Sequence, residues 1–146
     1  MQAFAGDPYI WRMTNSTGGA VTGAVRVWLR LEGFLVLALA ALLYERGGHS
    51  WMLFAVLLLA PDLSIVAYLA GPRVGAAVYN AVHSYAGPVL VGALALLTGR
   101  PPVAALIWAA HNGLDRAAGF GLKYPSDFGD THLGRLRGRR ADGIGK

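Results

Sequence analysis

Four apolar stretches follow one another through the middle of this chain, separated only by short polar turns. They cover residues 28–44, 51–70, 74–97 and 102–122. Each approaches the roughly 20 residues that an α-helix needs to cross a hydrocarbon layer about 30 Å thick. They are rich in Ala and Leu and too long for strands, so the pattern predicts helices that are apolar nearly all round. Only 14% of the residues are charged, against about a quarter in an ordinary soluble domain. A chain of 146 residues has no room for a second core beside such helices. The expectation is an all-α, four-helix transmembrane bundle with short turns and antiparallel neighbours. A flexible polar arm (residues 1–24) precedes the four-span domain (25–122), and a basic tail (123–146) follows it.

The breaks between stretches carry familiar punctuation. Glu45-Arg46-Gly47-Gly48-His49-Ser50 forms the first turn, Gly71-Pro72-Arg73 the second and Thr98-Gly99-Arg100-Pro101 the third. Pro61 predicts a kink in the second helix and Gly87-Pro88 one in the third. Pro102 is suited to the first turn of the fourth, where no amide donor is required. The start of the chain lacks the compact apolar core of a cleavable signal.

The net charge is +5 and there is no cysteine, which excludes disulfides, thiolate metal sites and thiol catalysis. The basic residues divide unevenly between the two sides. Arg12, Arg26, Arg30, Arg73, Lys123, Arg135, Arg137, Arg139, Arg140 and Lys146 fall on one side; Arg46 and Arg100 fall on the other. The positive-inside rule then predicts a multi-pass protein of the inner (plasma) membrane with both termini cytoplasmic. Its partners are the lipid bilayer and, at the basic tail, anionic headgroups. Nucleic acid is not expected, since the basic run lacks interleaved aromatic residues.

Every apolar stretch also contains a polar residue that is costly in lipid: Glu32, Asp62, His83, and His111 with Asp115. Counted from the cytoplasmic ends at about 1.5 Å per residue, they fall within a turn or two of one depth. His111 and Asp115 are four apart and share a helix face, as do Asn80, His83, Ser84 and Gly87. Each buried ionisable group costs about 2.5–3.5 kcal/mol on insertion scales, so such groups turn inward and pair. Arg116 is the one cation inside the spans, and it faces another side of its helix from Asp115. It cannot balance Glu32, Asp62 and Asp115 together. Protonated carboxylates, closer access to water or a bound cation are the three ways out. Two neutral imidazoles beside carboxylates form a nitrogen/oxygen set suited to zinc, manganese or iron. The alternatives are helix–helix fasteners and a proton or ion path.

The tail contains Asp127, Asp130 and His132 after Lys123-Tyr124-Pro125. Its Asp and Gly residues favour a solvated loop. The sharper alternative is a segment that folds back over the cytoplasmic mouth and lends His132.

Three blocks resemble a known family. They are Ala60-Pro61-Asp62-Leu63-Ser64 with 68–75, Tyr79-Asn80 with His83, and His111-Asn112-Gly113-Leu114-Asp115-Arg116 through Tyr124-Pro125 to Gly134. Together they resemble the small bacterial membrane proteins called domain of unknown function 4260, over residues 28–136. That resemblance implies a membrane fold and carries no activity with it. The order Pro61-Asp62, His83-Ser84, His111, Leu114-Asp115 is also similar to membrane-bound metal-dependent hydrolases, which resemble zinc-dependent phospholipase C. The second resemblance implies metal ligands at Asp62, His83, His111 and Asp115. The leading expectation is then a metal-dependent hydrolase with Glu32 behind the ligands or acting as general base, and an acyl or phosphoryl ester of a lipid as substrate. Ser64 stands where that family usually has a second Asp, and Tyr79-Asn80 where it has a His-Arg pair.

Overall fold

The computed structural model describes residues 19–135. The arm before residue 19 and the basic run after Arg135, with Arg137, Arg139 and Arg140, lie outside the described residues. Among the described residues the chain forms five α-helices, one 3-10 helix and a two-stranded hairpin. They are α1 (Gly23–Arg46), α2 (Trp51–Leu58), a 3-10 helix (Ala60–Ala70), α3 (Pro72–His83), α4 (Ala86–Leu97), α5 (Val103–Ala118), β1 (Asp130–Thr131) and β2 (Gly134–Arg135).

Two of these segments are long and apolar enough to cross a membrane: Gly23–Arg46, and the continuous Trp51–Ala70. A third is reached if α3 and α4, bent by 41° at their junction, count as one broken span. The expected fourth span is shorter than its apolar run. α5 ends at Ala118, where Gly119 takes a left-handed conformation with φ 99°. Its 16 residues reach about 24 Å, below the hydrocarbon thickness. α5 instead forms the centre of the body, with Ala105, Ile107, Ala110, His111, Asn112, Gly113 and Arg116 all buried. Outward-facing leucines are bare, with Leu69 90% and Leu97 86% exposed. Many apolar side chains on one surface in that state suit lipid rather than water.

The expected kink in the third apolar stretch occurs, whereas at Pro61 the helix changes type within a continuous segment; each change falls up to four residues before its proline. A proline ring collides with the carbonyl four residues earlier and offers that carbonyl no amide. Pro61 therefore ends α2 at Leu58, and Pro88 breaks the next helix at Ser84, where ψ swings to 156°. From Ala60 the chain winds as a 3-10 helix for 11 residues, where three or four are usual. Its period of three residues aligns Asp62, Ile65 and Tyr68 along one face.

The turn between α1 and α2 is closely stitched. Ser50 Oγ accepts from the Leu53 amide at 3.4 Å, and the Tyr44 hydroxyl donates to the Ser50 carbonyl at 2.6 Å. Trp51 Nε1 donates to Glu45 Oε2 at 2.6 Å. Ala40, Tyr44, Phe54, Ile107 and Ala110 form the apolar core beneath this turn.

The expected solvated tail is instead folded onto the body. Lys123, Thr131 and Leu133 are buried. The hairpin pairs Asp130 with Arg135 and Thr131 with Gly134, and Lys123 bridges to Thr131. The Val21 amide donates to the His132 carbonyl at 2.8 Å, tying the start of α1 to the hairpin.

Candidate metal centre

The motif His111–Arg116 divides its work by helix face. One face carries Trp108, Asn112 and Arg116, spaced by four. These three residues supply donors to the carbonyls stranded by the break after α3. Trp108 Nε1 donates to the Val82 carbonyl at 2.7 Å, and Asn112 Nδ2 to the Ser84 carbonyl at 2.8 Å. Arg116 donates to the His83 carbonyl at 3.1 Å and to the Phe120 carbonyl at 3.1 Å. Arg116 therefore serves backbone acceptors and, among the described residues, forms no ion pair with a carboxylate.

The neighbouring face carries His111 and Asp115 toward Asp62 and His83. His83 Nε2 lies 3.6 Å from Asp62 Oδ1 and 3.8 Å from Asp115 Oδ2. His111 Nε2 lies 3.8 Å from each of the same two oxygens. Asp62, His83 and His111 each present one donor atom within 4.8 Å of the others. The two histidines are buried, and the Asp115 side chain is only 16% exposed against 43% for Asp62. Residues from the 3-10 helix, α3 and α5 thus meet in one place.

The separations exceed hydrogen-bonding range. They sit just above the roughly 3.3–3.6 Å expected between donors sharing one tetrahedral ion at about 2.0–2.2 Å. The tautomer of His83 sharpens this. Its Nδ1 lies 3.0 Å from the Tyr79 carbonyl, which can only accept, so Nδ1 carries a proton and, in the neutral ring, Nε2 presents a lone pair. Fixing the remote ring nitrogen in this way is how metal-binding imidazoles are commonly oriented. His83 Nε2 and both ring nitrogens of His111 have no hydrogen-bond partner among the described residues. The Tyr79 ring stacks on His83 with centroids 3.6 Å apart, and its hydroxyl donates to Asp115 Oδ2 at 3.2 Å.

A cavity of about 220 Å³ opens over the cluster, lined in part by Asp62, Tyr79, Asp115 and Lys123. Lys123 is the cavity residue that the sequence left unmarked. Its Nζ donates to the Phe128 carbonyl at 2.8 Å and sits 3.6 Å from the Phe128 ring centroid and 4.7 Å from that of Tyr79. Burial pushes its pKa down, while Asp115 and Asp127 pull it partly back. Asn80, which shares its helix face with His83, holds this residue by its backbone. Its side chain donates to the Lys123 carbonyl at 2.8 Å and accepts from the Lys123 amide at 2.7 Å. Asn80→Ala is expected to cost about 1–3 kcal/mol for the two orphaned backbone groups. It should also raise the rate at which an amine reagent labels Lys123, read by peptide mass mapping.

Glu32 stands apart from this arrangement. It is exposed on α1, lies outside the cavity lining and forms no ion pair among the described residues. His132 is also placed elsewhere than over the cluster. Its Nδ1 accepts the Leu122 amide at 2.8 Å, and its own amide donates to the Leu122 carbonyl at 3.0 Å. Burial, then the nearby Arg116, lower its pKa. The unfolded chain therefore takes up this proton first as pH falls. The stabilising contribution is complete above the ordinary value near 6.5 and is lost as pH drops through and below it. Thermal melts should show the advantage of wild type over His132→Gln shrinking from pH 7.5 to pH 5.5; a constant gap would contradict this.

Fold and site together define a small helical protein with membrane-length apolar segments, in which the 3-10 helix, α3 and α5 bring an acid–imidazole cluster together. The chain belongs to the family described as Domain of unknown function (DUF4260), which matches residues 26–136. No curated protein and no solved structure matches it.

Proposed function

We propose that this protein is a membrane-embedded, metal-dependent hydrolase acting on a lipid or membrane-associated ester. Asp62, His83, His111 and Asp115 would hold a divalent ion, with zinc, manganese and iron the candidates for this donor set. One observation carries the reading: two carboxylate oxygens and the lone pair of His83 Nε2 converge with His111 Nε2 at 3.6–3.8 Å. A cation relieves the mutual repulsion of such acceptors. The cavity over the cluster supports a working site rather than a sealed structural one, because catalytic metal sites keep a position open to water or substrate. An ion here would supply Lewis-acid polarisation of the ester and activation of water.

The protein's own residues supply the rest. Tyr79 orients Asp115 through its hydroxyl and holds the His83 ring by stacking. The Tyr79 carbonyl keeps the His83 proton on Nδ1. Lys123 offers positive charge beside the open cavity. The basic residues Arg26, Arg30, Arg73 and Lys123 support a cytoplasmic mouth in the inner membrane with both ends inside. The basic tail would then meet anionic headgroups.

Elemental analysis of purified wild type beside Asp62→Ala and His111→Ala tests the reading. About one ion per wild-type chain and well under half that in each variant is the expected result. Wild type without metal, with its melting temperature unmoved by chelator, would overturn it. A non-enzymatic protein whose cluster only fastens helices predicts variants that lose stability with no ion to lose.

A further inference from the structure

We infer that the cluster sits between two cavities, one bearing charged side chains and one lined by apolar residues alone, and that its ligand is an anionic, single-chain amphiphile. The first cavity is the one over the cluster that Lys123 lines. The second encloses about 320 Å³ and is lined by apolar residues that include Pro61, Val82, Ala104, Ile107 and Trp108. The sequence positions of these residues link the two spaces. Pro61 and Val82 line the apolar cavity, and the next residue of each, Asp62 and His83, belongs to the cluster. Ile107 lies one helical turn before His111. Asp62 and Asp115 line the first cavity, and Asp62 and His83 each directly follow a residue that lines the second, which places the cluster beside both spaces.

Each space selects one part of the ligand. The apolar cavity has the small end of the volume range for small-molecule sites, roughly 300–1,000 Å³, which favours one acyl chain over two. Leu57, Ala60 and Ala104 on its rim are exposed on the apolar surface, so a chain can enter from lipid. On the other side, Lys123 is buried, forms no ion pair among the described residues and commits one of its three donors to Phe128. A divalent ion would neutralise Asp62 and Asp115, leaving the Lys123 charge uncompensated. The cavity then favours a negative group on the ligand, through a charge-assisted hydrogen bond. The choice of anion as headgroup rests on the metal reading above; the chain site does not.

The test uses full-length protein in nanodiscs of zwitterionic lipid. Trp11, Trp28 and Trp51 are replaced by Phe so that Trp108 alone reports from the apolar cavity. The probes are dodecyl phosphate and dodecyltrimethylammonium carrying bromine on the chain, which quenches indole on contact; inorganic phosphate is the chain-free control. The expected result is saturable quenching by the phosphate amphiphile, with a midpoint about tenfold or more below that of the cationic one. Ala104→Phe should abolish saturation by both amphiphiles, and Lys123→Gln should equalise their midpoints. Inorganic phosphate alone should leave Trp108 emission unchanged. Equal midpoints in wild type, or quenching that Ala104→Phe leaves unchanged, would overturn the inference without needing the lysine variant. Metal content measured on the same samples separates the two readings. Bound metal without saturable quenching overturns the amphiphile alone. Saturable quenching without chain-selective charge preference and without metal overturns the headgroup assignment and the hydrolase reading together.

Discussion

Asp115→Asn should lower affinity for the divalent ion by more than about 100-fold. Loss of a group that merely supports a metal ligand already costs roughly 10–100-fold, and here a proposed charged ligand itself is removed. The substitution keeps the shape of the side chain, and the amide can still accept from the Tyr79 hydroxyl, 3.2 Å from Asp115 Oδ2 in wild type. The helix break beside it is held by Trp108, Asn112 and Arg116, which the change does not touch. The expected signature is therefore specific: weak metal binding by competition titration with a chelating indicator, in a protein that still folds. Ion binding to the native state alone adds about 2.7 kcal/mol of stability at a hundredfold excess over Kd. Wild type should accordingly melt earlier after chelation, and Asp115→Asn should melt at one temperature with or without chelator. A variant that binds the ion as wild type does would remove Asp115 from the ligand set.

Gly113→Val should be the most damaging single change away from the cluster. α1 and α5 cross with their backbones almost in contact at Gly33 and Gly113. A Cβ on Gly113 would lie 2.7 Å from both the Gly33 carbonyl oxygen and the Leu37 amide nitrogen. A Cβ on Gly33 would lie 2.3 Å from Arg116 Cβ and 2.8 Å from the Ala117 amide nitrogen. Most of these obstacles are backbone atoms in helices, so no rotamer change relieves the clash. Overpacking costs about 1–3 kcal/mol even where side chains can shift, and this site has no such freedom. Close approach at small residues is also a main means of helix association in lipid. Gly113→Val should lower the melting temperature by well over 5 °C, by about 2–3 kcal/mol or more in free energy. Gly92→Ala serves as the control, since a Cβ there meets only Ala105 Cβ, at 3.3 Å. Comparable losses in the two variants would show that the α1–α5 crossing is not so tight.

How much of this was legible in the residues differs from feature to feature. The prolines announced both interruptions, because a missing amide and a colliding ring act locally. Their consequences were not local. Nothing in the sequence around Pro61 specifies eleven residues of 3-10 helix. That choice aligns Asp62, Ile65 and Tyr68 with α3 and the tail, where Tyr68 meets Phe128 with ring centroids 5.1 Å apart. Asp62, His83, His111 and Asp115 stood out because ionisable groups in apolar runs are costly, and the fold brings them together. Glu32 stood out for the same reason yet lies on an exposed face of α1. Its cost signal measured depth along the helix and carried no information on direction around it. Lys123 gave no signal, being one basic residue in a basic tail. What distinguishes it is the Asn80 clamp, a contact across 43 positions.

Composition and spacing alone determined the helical, membrane-length character of this chain and singled out the ionisable residues proposed as cation ligands. Both follow from local quantities: apolar run length, proline position and the expense of charge in hydrocarbon. Tertiary structure decided that the last helix stops at Ala118 and is wrapped by the others, and that the tail folds inward to deliver Lys123. It also decided which polar residues meet. Those outcomes depend on backbone approach at Gly33 and Gly113 and on donors finding the carbonyls stranded before Pro88. Such pairings form between segments distant in sequence, so no local pattern encodes them.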